Sequence, residues 1–210
     1  MQQERVLPRP ASATASRLKR ELAALGAATE VGFGEGGAAV ERLKALARAL
    51  EAENPTPEPA MAQALLKGRW HLLYSSLGLL RPTTLARYSF GLLPDEPVTA
   101  VEIFSETDPA TGRHDNIIHF LDEQGAAGTL LLAGAYRVEG ESALSIRFDR
   151  AILSTAVGRS VHPLDGAPAG PIGVAITYLD DGFRLMRGAG GCLYLLERLD
   201  PHPMRWTRDG

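Results

Sequence analysis

The sequence predicts a mainly β protein, an antiparallel β-barrel with an N-terminal helical arm. Three observations predict it. Apolar residues recur with a helical period only before Asn54, and from Gly68 onward they alternate with period two. The alternating runs are short and joined by turn-rich connectors, which favours antiparallel pairing. Closing such a sheet removes its exposed edges, and a barrel of about eight strands can hold one small ligand.

At 210 residues the chain fits one domain with an appendage. Its expected divisions are a mobile tail over 1–15, a helical arm over 16–59 and a barrel domain over 60–210. From Ser16, Leu18, Leu22 and Leu25 fall on one helix face, and Gly26 is the expected stop. A second helix runs from Ala38 to Glu53, with Leu43, Leu46, Ala47 and Leu50 as its apolar stripe. The prolines of Asn54 to Pro59, NPTPEP, end it. A helical turn over Met61 to Leu66 leads into the first strand. The glycines at 32, 34, 36 and 37 read as a joint rather than a phosphate loop, because no strand precedes them and no Gly-Lys-Ser/Thr follows.

Trp70, Leu72 and Tyr74 alternate with His71, Leu73 and Ser75. VEIF (101–104), NIIHFL (116–121) and GTLLLAGAYRV (128–138) follow, and then Leu144, Ile146 and Phe148. Ile172, Val174, Ile176 and Tyr178 make another alternating set, and CLYLLERL (192–199) is the last strand. DPATG, DEQG, EGES, DDG and GAGG supply turns, with Asp181-Gly182 a hairpin signal. Ser154 to Gly170 is the longest irregular stretch, either a lid at a barrel mouth or a passive connection.

Three segments carry a family likeness: LEAENPTPEPA, LLKGRWHLLYSS and ITYLDDGFRLMRGAGGCLYLLERL. In order and spacing, over about residues 17–199, they resemble the plastid-lipid-associated protein/fibrillin (plastoglobulin) family. The likeness implies an antiparallel lipocalin-like β-barrel that binds hydrophobic molecules and associates with lipid bodies or membranes. Ala189 stands where the family often has an acidic residue after Arg-Gly. The high alanine content and short N-terminal extension are more like those of a bacterial relative than of a plastid-targeted protein.

Gly68-x-Trp70 is also the lipocalin opening motif. Trp70 is expected to plug the closed end, with a cation from Arg198 or Arg187 on its ring. Arg184 and Arg187 lie three apart, so without a bulge they face opposite sides of one strand. Arg184, near the turn, is expected in solvent. Arg187 is either a ligand anchor, a structural pair with Asp180, Tyr178 or Glu197, or exposed. The candidate ligand-binding set is Arg187, Tyr178, Tyr74, Ile118, Phe120, Leu132, Ile146, Phe148, Val174 and Ile176. Gly68, Trp70 and Arg198 are the structural set. Which strand faces point inward is not readable from the sequence alone.

Net charge −3 and pI near 6.0 argue against a nucleic-acid partner. The single Cys192 excludes an intrachain disulfide, and it is expected to be buried and inert. The five histidines lack ligand spacing and no Gly-x-Ser-x-Gly elbow is present, so neither a metal, a cofactor nor an enzymatic role is expected. Asp180 and Asp181 read as turn chemistry rather than an acid–base pair. With no apolar run long enough to span a bilayer, the chain is expected to be cytoplasmic, at most peripheral to a membrane, or plastidial if eukaryotic. The reading is a non-enzymatic carrier of a lipid, fatty acid, isoprenoid or quinone. The alternative is a scaffold docking through its helical arm on an isoprenoid- or quinone-pathway enzyme, or a coat on lipid particles.

Overall fold

The computed structural model describes residues 12–32, 37–76, 83–164 and 170–202. Helix α1 spans Ala13–Ala28 and α2 spans Ala38–Glu51. Helix α1 begins three residues earlier than its leucine pattern suggests. Ser12 is the reason: its hydroxyl accepts from the Ala15 amide at 2.9 Å and supplies the N-terminal cap. Residues 1–11 of the expected tail lie outside the described residues, and Ala13 to Ala15 are helical. Gly26 does not stop the helix. It is buried inside it, where a Cβ would sit 2.8 Å from the Leu73 carbonyl oxygen. The missing side chain lets the helix press on the first strand.

Among the described residues, ten strands follow in one antiparallel sheet. They are β1 (Gly68–Ser75), β2 (Thr83–Thr84), β3 (Pro97–Asp108), β4 (Arg113–Asp122), β5 (Ala127–Val138), β6 (Ala143–Thr155), β7 (Gly158–Pro163), β8 (Ile172–Leu179), β9 (Phe183–Gly188) and β10 (Leu193–Asp200). Two one-turn helices, α3 (Gln63–Leu66) and α4 (Leu85–Tyr88), precede β1 and β3. The order β1-β10-β9-β8-β6-β5-β4-β3 returns to β1, because Gly68 to His71 pair with Thr107 to Phe104. Eight strands thus form a closed ring, with β2 on β3 and β7 on β6 outside it. Gly68 has φ +129°, and a Cβ there would meet the Asp200 carbonyl oxygen at 2.3 Å. Only glycine allows the chain to enter β1 that close to β10.

The expected irregular stretch from Ser154 is corrected in part. Ser154 and Thr155 belong to β6, and β7 folds back on them as a hairpin. Residues 165–169 of that stretch lie outside the described residues.

Helices α1 and α2 lie on the outer face of β1, β8, β9 and β10. Leu18, Leu22, Leu43, Ala47 and Leu50 bury against Tyr74, Tyr178, Phe183, Leu185, Leu193 and Leu195. The Asn-Pro-x-Pro segment clamps this arrangement. Asn54 Oδ1 accepts from the Leu179 amide at 3.1 Å, and Thr56 Oγ1 donates to the Leu179 carbonyl at 2.6 Å. Lys19 of α1 reaches Asp180 at 2.5 Å. Asp180 also accepts from Tyr178 Oη at 2.7 Å and from the amides of Gly182 and Phe183 at 2.9 and 2.7 Å. Its carboxylate therefore sets the hairpin turn and ties α1 to it.

Candidate functional site

Two of the sheet's register shifts decide where Tyr74 and Tyr178 face. On β1, Leu72 pairs with Leu196 but Tyr74 pairs with Leu195, so two steps oppose one. On β8, Ile176 pairs with Met186 but Tyr178 pairs with Leu185. Each extra residue reverses the alternation. Leu72, Leu196, Ile176 and Met186 therefore belong to the interior, while Tyr74, Tyr178, Leu185 and Leu195 pack under the helices. The expectation of Tyr74 and Tyr178 as lining residues is corrected accordingly. Burial and the hydrogen bond to Asp180 push the Tyr178 phenol well above its ordinary range, so it remains a neutral donor.

Inside the ring lies a cavity of about 220 Å³. Ile118, Leu132, Ile146, Phe148 and Val174 line it, together with Leu72, Ile103, Ile172, Met186 and Leu196. Phe120 faces the interior but packs beyond the cavity, among Leu85, Tyr88 and Leu93. Ile176 is buried near Trp70 rather than at the cavity wall. The α4 segment contributes Arg87, Tyr88 and Phe90. Exposed Arg87 and half-buried Phe90, Ile172 and Tyr194 form the rim. Among the described residues the β6–β7 hairpin does not line the cavity, whereas α4 and Ile172, just beyond Gly170, do.

Trp70 is buried outside the lining of this cavity. Its Nε1 donates to the Leu66 carbonyl at 3.1 Å, and the ring is fully buried. Two guanidiniums lie over it, Arg184 at 4.5 Å and Arg198 at 4.9 Å from the ring centroid. Arg198 also donates to the carbonyls of Ala64 and Leu65, joining β10 to the turn before β1. The second cation on the indole is therefore Arg184, not Arg187.

The expectation of a solvated Arg184 is likewise corrected. It pairs with Leu196 and Leu179, both interior residues, and is 0% exposed. Arg187 pairs with Leu193 and faces the helices, where Glu51 of α2 receives it. The partner is none of the three acidic or phenolic groups near it in sequence.

Between Trp70 and the apolar cavity runs a polar layer. Arg184 Nη2 donates to Ser105 Oγ at 3.3 Å. Ser105 Oγ is 3.5 Å from His114 Nε2, and Thr107 Oγ1 is 3.2 Å from His114 Nδ1. Asn116 hydrogen-bonds His114 as well. Burial, with the Arg184 charge second, drives His114 from 6.5 down to about 3, so the imidazole is neutral. Burial, and the charge of Arg198 second, also lower Arg184 to about 9, which leaves it cationic at neutral pH. Ser105, His114 and Asn116 reach the cavity wall. The sequence reading missed this layer because its members are spread over β3, β4 and β9 and form no motif.

Comparison with known proteins follows the same outline. The family model PAP_fibrillin matches residues 16–197. The chain is 27% identical over 219 aligned positions to "Probable plastid-lipid-associated protein 1, chloroplastic" of Arabidopsis thaliana, covering 86% of this chain and 68% of the relative. It is 24% identical over 226 positions to "Plastid lipid-associated protein 1, chloroplastic" of Brassica campestris, covering 87% and 67%. With the matched region running from α1 to β10, the chain belongs to the PAP/fibrillin family of plastid-lipid-associated proteins.

Proposed function

We propose that this chain is a non-enzymatic binder of a hydrophobic small molecule, held in the interior of a lipocalin-like barrel. The observation that carries it is the mostly apolar cavity of about 220 Å³ lined by residues of the eight-stranded ring. Desolvation drives binding: each methylene that leaves water contributes about 0.8 kcal/mol. The volume suits a short chain or the end of a longer one, since it equals about seven waters at about 30 Å³ each. A longer ligand would leave its remainder at the Arg87–Phe90 rim.

The helical arm supports this reading over docking of a partner through its apolar stripe. Leu18, Leu22, Leu43 and Leu50 are already buried against the ring, which leaves only the polar side of the arm free. Among the described residues no helix is long and apolar enough to cross a membrane. For peripheral contact with lipid, the β6–β7 hairpin is the favoured element, because Val157 at its tip is 98% exposed and Val161 beside it 46%.

The test is thermal stability in the presence of 1-octanol and longer alcohols. Ligand that binds only the folded chain raises Tm with concentration. Leu132→Phe, which fills the cavity, should abolish the rise. No shift with any alkyl probe, or a shift that survives Leu132→Phe, would refute cavity binding.

A further inference from the structure

Arg184 stands out among the cations of the described residues. It is wholly buried, its Nε has no hydrogen-bond partner among the described residues, and no described carboxylate lies within ion-pair distance. Its one hydrogen bond among them goes to the neutral Ser105 hydroxyl. Of the part-buried arginines, Arg187 has Glu51 and Arg113 has both Asp115 and Glu106, while Arg198 has the carbonyls of Ala64 and Leu65. An ion taken from water without a counter-ion is costly. Stacking on Trp70 offsets only part of that cost.

The site beside it is built to relay that charge. Ser105 Oγ accepts from Arg184 and stands at the cavity wall next to His114 and Asn116. With the imidazole neutral, one nitrogen keeps a proton and the other accepts. Ser105, His114 and Asn116 are thus hydrogen-bonding side chains at the deep end of an otherwise apolar space, with a positive charge directly behind them. No described acidic side chain lines the cavity.

We infer that the ligand carries an acidic head, a carboxylate, and binds with that head inward against Ser105, His114 and Asn116, its alkyl tail running out to the Arg87–Phe90 rim. This rests on the cavity-binding reading above. One buried cation matches one negative charge, so a monoanionic carboxylate suits the site better than a diphosphate. The bound head supplies the counter-ion that Arg184 lacks, and the charge-assisted contact forms where water is excluded.

The experiment is calorimetric titration of the full chain at pH 7.5 with sodium octanoate and with 1-octanol, two probes of equal chain length. Wild type should bind octanoate at least ten-fold more tightly than octanol. Ser105→Ala and Arg184→Met should each reduce octanoate affinity at least ten-fold and leave octanol within two-fold. Arg187→Met should keep the wild-type preference. If Arg184→Met does not fold, Ser105→Ala carries the test alone. Equal binding of the two probes to wild type overturns the head-group assignment and leaves the cavity reading standing. Retention of the preference in Ser105→Ala also overturns the assignment. Failure of both probes to bind overturns the cavity reading and the assignment together.

Discussion

Arg187 on β9 and Glu51 on α2 form a two-pronged pair on the outside of the ring, Nε to Oε1 at 2.8 Å and Nη2 to Oε2 at 3.1 Å. Thr177 Oγ1 donates to the same Oε1 at 2.7 Å. The Arg187 side chain is 29% exposed and that of Glu51 19%, so solvent screens the pair only in part. A double-mutant cycle with Arg187→Met and Glu51→Gln should give a coupling of about 1 kcal/mol that shrinks in 1 M salt. Urea denaturation of the four proteins measures it. A coupling near zero would mean that the pair does not help to hold the arm.

Trp70 joins α3, β1 and both guanidiniums. Trp70→Ala should destabilise the fold by about 3–5 kcal/mol, the range for deleting a buried large aromatic. The cavity would also leave Arg184 without its ring. An unchanged denaturation midpoint would show that the fold does not depend on the indole.

The Asn54 clamp predicts that Asn54→Ala loosens the helices from β8. The substitution removes the acceptor of the Leu179 amide and of the Thr56 amide, the latter at 3.2 Å. A loss of about 1–3 kcal/mol is expected for leaving a buried amide unsatisfied. Hydrogen exchange should show faster exchange at Leu179 and through α2, and protection equal to wild type there would refute the clamp.

His114 gives stability a pH dependence. Its folded value is about 3 against an ordinary 6.5, so below 6.5 the unfolded chain binds a proton that the folded chain refuses. The contribution is complete above pH 6.5 and is lost as pH falls towards 3. Linkage makes the loss about 2 kcal/mol at pH 5. His114→Gln should lose about that much less than wild type between pH 7 and pH 5, measured by urea denaturation at each. Equal losses would mean that His114 is not held neutral.

Several features of the molecule follow from local chemistry alone. The period-two runs mark the strands, because side chains on a strand must alternate between faces. The leucine stripes and the proline break mark the two helices of the arm. The three-residue spacing of Arg184 and Arg187 dictates that they face opposite sides, as they do. What the spacing does not contain is the direction of each. Tyr74 and Tyr178 belong by alternation to the same sets as Leu72 and Ile176, and only the bulge before each turns it outward. A bulge exists through its pairing with another strand, so it leaves little trace in the strand's own sequence. Likewise Arg187 finds its carboxylate 136 residues away in Glu51, and Arg184 meets Trp70, Ser105 and His114 from other strands. The chain's own pattern determined the elements and their two-faced character. Closure of the ring and docking of the arm decided which face became interior, because burial is a property of the assembled surfaces rather than of any one segment.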